Sequence, residues 1–159
     1  MSAAHDNHTH HHHAAVPLNS LAARATLHCL SGCAMGEVLG MIIGTALGWT
    51  NTATIVLAVA LAFAFGYAMT MIPLLRAGLP LAKASGLAFA SDTASITIME
   101  IVDNGIMLII PGAMDAHLTD LLFWASMALS LVLAGLAAFP MNRWLIARGR
   151  GHAVVHEYH

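Results

Sequence analysis

The stretch TLHCLSGCAMGEVLGMIIGTALGW, residues 26–49, has the length and apolar character of a membrane-spanning helix, but it contains a histidine, two cysteines and a glutamate. About 20 apolar residues suffice to cross a bilayer, and a carboxylate in the middle of such a helix is costly. Cys29, Cys33, Glu37 and Met41 recur at every fourth position, so an α-helix places them on one face. We call these four residues the cysteine–glutamate stripe.

A second stripe on the same helix consists of glycines, also four residues apart: Gly32, Gly36, Gly40, Gly44 and Gly48. Small residues at this spacing allow another helix backbone to approach closely. We therefore predict a helix-packing role for Gly32, Gly36, Gly40 and Gly44. The partner helix can belong to the same chain or to a second copy. We expect this glycine face to be available for self-association and predict a homo-oligomer.

The composition of the chain predicts a membrane protein. Of its 159 residues, 58% are hydrophobic and 9% are charged, whereas a soluble domain has about 25% charged residues. The chain has six Lys and Arg residues in all, so nucleic-acid binding has no electrostatic basis. Two cysteines four apart on a helix are poorly placed for a relaxed disulfide, so we expect free thiols.

Four segments of the chain are long and apolar enough to be membrane spans, which predicts an all-α membrane protein with four transmembrane helices in a lipid bilayer. Short connections between them make neighbouring helices antiparallel. The predicted spans are residues 25–48, 52–75, 84–110 and 119–142. The predicted organisation is a histidine-rich tail over 1–22, a transmembrane domain over 23–146 and a second tail over 147–159.

The basic residues predict the orientation of the bundle. All six lie at the predicted span ends on the side of the two chain termini: Arg24, Arg76, Lys83, Arg143, Arg148 and Arg150. The positive-inside rule makes this side cytoplasmic. We therefore predict a protein of the bacterial inner membrane with both termini in the cytoplasm. Six histidines within residues 5–13 share that side, either as a native metal-capturing segment or as a purification tag.

The third predicted span carries three carboxyl groups, on Asp92, Glu100 and Asp103. Each costs about 2.5–3.5 kcal/mol at the centre of a membrane helix, so we expect all three to face the bundle interior. At about 1.5 Å of rise per residue, they fall at the depths of the first helix's polar residues. From the cytoplasmic side, the pairs at equal depth are Cys33 with Asp92, Glu37 with Glu100, and Met41 with Asp103.

The residue types in these layers suit a metal ion. Thiolates and thioethers bind Cu(I), and thiolates also bind Zn(II), while carboxylates bind harder ions or relay protons. The candidate metal ligands are His28, Cys29, Cys33, Glu37, Met41, Met69, Asp92, Glu100 and Asp103. We predict a transition-metal transporter or channel in which the ion passes between the first and third helices, with Cu(I) favoured and Zn(II) or Ni(II) as alternatives.

Other functions remain open at this point. Buried His, Cys and Met side chains also ligate haem, which would make the protein a membrane redox protein. The polar residues could instead fix helix packing in a scaffold or sensor, or conduct protons with the thiols incidental. The chain has no Ser-His-Asp, phosphate-loop or zinc-protease motif, and we assign no catalytic residue.

Two motifs resemble those of a family of small bacterial membrane proteins that is classified as a domain of unknown function. The first helix carries His-Cys followed by Gly-Cys-x-x-Gly-Glu, and the third carries Ser-Asp-Thr with a downstream Glu and Asp. The matching residues are His28, Cys29, Gly32, Cys33, Gly36 and Glu37, then Ser91, Asp92, Thr93, Glu100 and Asp103. The resemblance covers residues 24–146 and implies the membrane class and the importance of these residues, but no substrate.

Overall fold

The structure, a computed structural model, describes residues 17–148, which form four α-helices without a strand. The helices are α1 (Leu18–Ala46), α2 (Asn51–Arg76), α3 (Leu81–Ile109) and α4 (Leu121–Ala147). The predicted all-α class is therefore confirmed. The histidine-rich segment before residue 17 and the tail after residue 148 lie outside the described residues, and the orientation of the termini stays a prediction.

The four helices form an antiparallel bundle with two distinct ends. At one end the Asn51 Nδ2 donates a hydrogen bond of 3.2 Å to the Asp115 Oδ1, which joins the start of α2 to the α3–α4 connection. We call this the loop end. At the other end, the terminal end, Arg143 Nε donates to Asn19 Oδ1 over 2.8 Å and joins α4 to α1. Helices α1 and α3 consequently run in the same direction.

The surface of the bundle is apolar, as expected for contact with lipid. Leucine, isoleucine, valine and phenylalanine side chains stand exposed on all four helices, among them Leu27, Val56, Phe89, Ile101 and Leu136. Helices α1, α2 and α4 are long and apolar enough to cross a membrane. Helix α3 is as long but carries buried acidic side chains. It connects the terminal end of α2 to the loop end of α4, so it runs the length of the same bundle.

Helices α1 and α2 pack along the glycine stripe. A Cβ added to Gly36 would lie 2.2 Å from the backbone nitrogen of Ala62, and one added to Gly40 would lie 2.5 Å from the Cα of Ala58. These distances are below any real contact, so only glycine allows the approach. We call this interface the glycine seam; it joins Gly32, Gly36, Gly40 and Gly44 to Gly66, Ala62, Ala58 and Thr54.

The glycine seam lies within the chain, which corrects one expectation from the sequence. We expected this glycine face to be available for self-association, but α2 covers it. Gly48 also differs from the pattern, because it follows the end of α1 with a φ of 64° and has open space around it. A left-handed residue after a helix is commonly a glycine, so Gly48 turns the chain and takes no part in the seam.

Candidate functional site

The cysteine–glutamate stripe of α1 and the polar face of α3 both point into the bundle. Cys29, Cys33 and Glu37 are buried on α1. The three acidic residues of α3 are buried as well. The interior they share also borders α4, and we call it the polar core. It has three levels, which are described below from the loop end to the terminal end.

The first level is a small cavity between Glu37 and the loop end. Its volume is about 20 Å³, which is enough for one water molecule. The polar atoms in its wall belong to Glu37 and Asp103 and to the neighbouring Asn104. The other walls are the side chains of Met41, Ile55, Ala58, Met107, Met114 and Met127.

Glu37 and Asp103 differ sharply in their hydrogen bonding. The hydroxyl of Ser130 on α4 donates a short hydrogen bond to Asp103 Oδ1. Glu37 is 4% exposed, and neither of its carboxyl oxygens has a hydrogen-bond partner among residues 17–148. The Asp103 carboxyl lies close enough to Glu37 for the two acids to share a proton, and Glu100 also acts on Glu37 electrostatically. The cavity therefore holds an acidic group that lacks a donor in the described part of the chain.

The second level brings together Glu100 and Cys33. Glu100 accepts a hydrogen bond of 3.3 Å from Asn104 Nδ2 through its Oε2, while its buried Oε1 has no partner within the described residues. Cys33 Sγ lies 4.0 Å from the thioether sulfur of Met99 and interacts with Glu100. Met69 was the one methionine of α2 among the predicted metal ligands. The thioether that contacts Cys33 is that of Met99, and Met69 is half-buried on α2.

The third level joins Asp92 of α3 to His28 of α1 through Thr70 of α2. Ser91 Oγ donates to Asp92 Oδ1 over 2.7 Å, and the Thr70 hydroxyl also hydrogen-bonds with this carboxyl. His28 Nε2 lies 3.1 Å from Thr70 Oγ1 and interacts electrostatically with Asp92. Cys29, one turn from Cys33, lies close to Asp92 and Ser95. This level is therefore a continuous hydrogen-bonded group.

Helix α4 supplies polar groups that the sequence did not single out. Asn142 Nδ2 donates to Thr26 Oγ1 of α1 over 2.9 Å and to Ser95 Oγ of α3 over 3.0 Å. Ser130 supplies the donor for Asp103. The signal for both was present, since each is a polar residue within a strongly apolar helix. The two residues tie α4 to the polar core.

The described residues contain no conventional cluster of metal ligands. Among residues 17–148, no three side chains of these types are grouped so that they could hold a metal ion. That grouping leaves out thioethers, which are abundant around Glu37 and Asp103. The role of the nine candidate ligands thus stays a prediction.

The comparisons with known proteins identify a family but no activity. A family described as Domain of unknown function (DUF4396) matches residues 19–151. The chain belongs to this family, and the match contains every residue of the polar core. No curated protein and no solved structure matches the chain.

Proposed function

We propose that this DUF4396 member carries a transition-metal ion across the membrane through the polar core, between α1 and α3. Cu(I) is the favoured ion, with Zn(II) and Ni(II) as alternatives. The observation that carries the proposal is Glu37, an acidic side chain buried without a donor in a cavity beside Asp103. The proposal includes α3 as a fourth transmembrane helix and the loop end on the outer side of a bacterial inner membrane.

A cation would compensate for the missing hydrogen-bond donors of Glu37. Leaving a buried polar group without a hydrogen bond costs about 1–3 kcal/mol, and more for a charged group. Glu37 also lies near the carboxyls of Asp103 and Glu100, and like charges at short range repel each other. A cation between Glu37 and Asp103 would remove both costs.

The spacing of ligands along the core suits stepwise passage of an ion. On α1, Met41, Glu37, Cys33 and Cys29 follow one another every four residues, which is a rise of about 6 Å. Met41 and Glu37 border the cavity together with Asp103 and Met107 of α3. Cys33 contacts Met99 and interacts with Glu100, and Cys29 lies close to Asp92. Neighbouring sites at this spacing would let an ion leave one ligand set as it enters the next.

The two other candidate functions have less support from this geometry. A cavity with room for one water molecule suits an ion better than a haem. A scaffold needs polar groups that are paired, as Asn142 is with Thr26 and Ser95. The oxygens of Glu37 have no such donor among the described residues, so we favour transport.

Metal uptake by vesicles that contain the full chain tests the proposal. We expect the wild-type protein to admit at least one of Cu(I), Zn(II), Ni(II) and Co(II). The Glu37→Gln variant should reduce that uptake by more than about tenfold, because loss of a group that merely orients a ligand already costs about 10–100-fold in metal affinity. The matched control is Asp115→Asn, the same change at an exposed carboxyl of the loop end.

Two results would contradict the transport proposal. One is uptake of all four ions at the rate of protein-free vesicles. The other is equal uptake by the wild-type protein and the Glu37→Gln variant.

A further inference from the structure

The methionines of the chain are concentrated around one cavity. Four of the ten line the space beside Glu37, and they come from different parts of the bundle. Met41 lies on α1, Met107 on α3, Met114 in the α3–α4 connection and Met127 on α4. We call them the methionine cluster.

Burial separates the cluster into an inner and an outer pair. Met107 and Met127 are each 5% exposed, while Met41 and Met114 are partly exposed. Met114 belongs to the connection at the loop end, so the cluster extends from that end of the bundle to the carboxyl of Glu37. The arrangement provides thioethers both at the surface and beside the buried acid.

Filling of core volume is the ordinary role of buried methionine, since its flexible side chain adapts to irregular gaps. Here the four side chains surround a space and leave it open. An acidic side chain whose oxygens have no donor in residues 17–148 shares that space. Core filling does not account for the unpaired carboxyl, whereas a soft metal ion would use both the thioethers and that carboxyl.

We propose that the methionine cluster and Glu37 form a binding site for a soft monovalent cation, Cu(I) and its analogue Ag(I). The site rests on the proposed function and deepens it, because it names the class of ion that the polar core receives at the loop end. Thioethers bind soft ions, whereas harder divalent ions prefer oxygen and nitrogen donors. Four elements of the fold therefore contribute to one selective site.

The charge of the site also favours a monovalent ion. In its deprotonated form Glu37 supplies one negative charge, with no competing donor from the described residues. Asp103 is already engaged by the Ser130 hydroxyl, which is held in place by its own contact of 2.9 Å with the carbonyl of Met127. A single positive charge on the ion balances Glu37, and the thioethers add ligands without adding charge.

Nuclear magnetic resonance of ¹³C-methyl methionine in the full-length protein tests the site with Ag(I), which avoids the redox chemistry of copper. We expect Ag(I) to shift the methyl resonances of all four cluster residues, assigned by single Met→Leu variants. Met35 is the control, because it is 49% exposed on the apolar outer face of α1. Methyl signals report on thioethers alone, so Ag(I) bound by the histidines before residue 17 gives no signal of its own, and those histidines are removed for the affinity measurements.

A binding titration with matched variants completes the test. The Ag(I) affinity is read from the remaining cluster signals. It should fall by more than about tenfold in the Met107→Leu, Met127→Leu double variant and in the Glu37→Gln variant. Met35→Leu should leave the affinity unchanged. The shifts should persist in a Cys29→Ala, Cys33→Ala background, and an equal amount of Zn(II) should produce none.

The outcomes separate this site from the transport proposal. Cluster signals that move with Ag(I), in a protein that admits no ion into vesicles, would support the site and overturn transport. Unmoved cluster signals in a protein that does admit metal would overturn the site and leave transport standing. Equal shifts with Zn(II), or shifts no larger than that of Met35, would also overturn the site.

Discussion

Two neighbouring faces of α1 are packed in opposite ways. The glycine seam brings α1 so close to α2 that no Cβ fits at Gly36 or Gly40. The cysteine–glutamate stripe, on the adjacent face, borders a cavity and an acidic side chain without a donor within residues 17–148. One face contributes tight packing, and the other accepts groups that weaken the fold.

The difference indicates which face carries function. In a membrane, close van der Waals packing of small residues is a main source of helix association, whereas an unpaired buried polar group opposes folding. A bundle selected for stability alone would have no reason to keep Glu37 unpaired. Because the glycine seam holds α1 against α2, the adjacent face, which contacts α3 and α4, can tolerate a polar group without a hydrogen-bond donor.

Filling the glycine seam should have the largest effect on stability. In Gly36→Val the new Cβ meets the backbone of Ala62, which cannot move aside as a flexible side chain can. We expect the free energy of unfolding in mixed detergent micelles to fall by more than about 3 kcal/mol, beyond the usual cost of overpacking. The control is Gly86→Ala, where α3 has open space and the change should be neutral or stabilising. Equal stability of the two variants would refute the seam.

Loss of the α4 hydrogen bonds should have the next largest effect. Asn142→Ala leaves the hydroxyls of Thr26 and Ser95 without their buried donor. We expect a loss of about 1–3 kcal/mol in the free energy of unfolding, measured in the same micelles. Asn51→Ala, at an exposed hydrogen bond of the loop end, should cost less than about 0.5 kcal/mol. A cost at Asn142 no greater than that at Asn51 would show that α4 does not depend on this contact.

Glu37→Gln should change stability in the opposite direction. The amide removes a charge from the neighbourhood of Asp103 and adds a donor for its carboxyl. We expect the free energy of unfolding to rise by about 1 kcal/mol, as is common when a functional site is made neutral. If Glu37 only fixes helix packing, the same variant will instead unfold more easily.

Cys33→Ala should have the smallest effect on stability. Its thiol contacts Met99 and packs among alanines of the core, so we expect a loss below about 1 kcal/mol. Metal uptake by vesicles should nevertheless fall, because the thiol lies between Glu37 and Cys29. Proton uptake measured in parallel serves as the contrast: unchanged metal uptake together with a proton current would mean that the carboxyls conduct protons and the thiols are incidental.

The helices and their inward faces could be predicted from spacing alone. Cysteine, glutamate and glycine recur along α1 at helical intervals, and a carboxyl in an apolar helix must avoid lipid. These local rules place Glu37 and Asp103 in the interior without knowledge of the fold. They also show that the third helix, the least apolar of the four, belongs to the bundle.

The partners of each face could not be predicted in the same way. Asn142 and Thr26 are 116 residues apart, and no local pattern shows that they meet. The methionine cluster draws on three helices and a connection, so only the packing of the bundle reveals it. The expectation that the glycine face is available for self-association was wrong for the same reason, since a small-residue stripe does not indicate whether α2 or a second chain covers it. The homo-oligomer itself stays a prediction.

The most direct test of whether Glu37 binds a passing ion compares the wild-type protein with the Glu37→Gln variant. Cu(I) uptake and unfolding are measured on the same preparation of each protein. We expect the variant to lose more than about tenfold of the uptake while it unfolds no more easily than the wild-type protein. A variant that takes up Cu(I) at the wild-type rate, or one that loses uptake only because it unfolds, would contradict the central claim that Glu37 binds a passing ion.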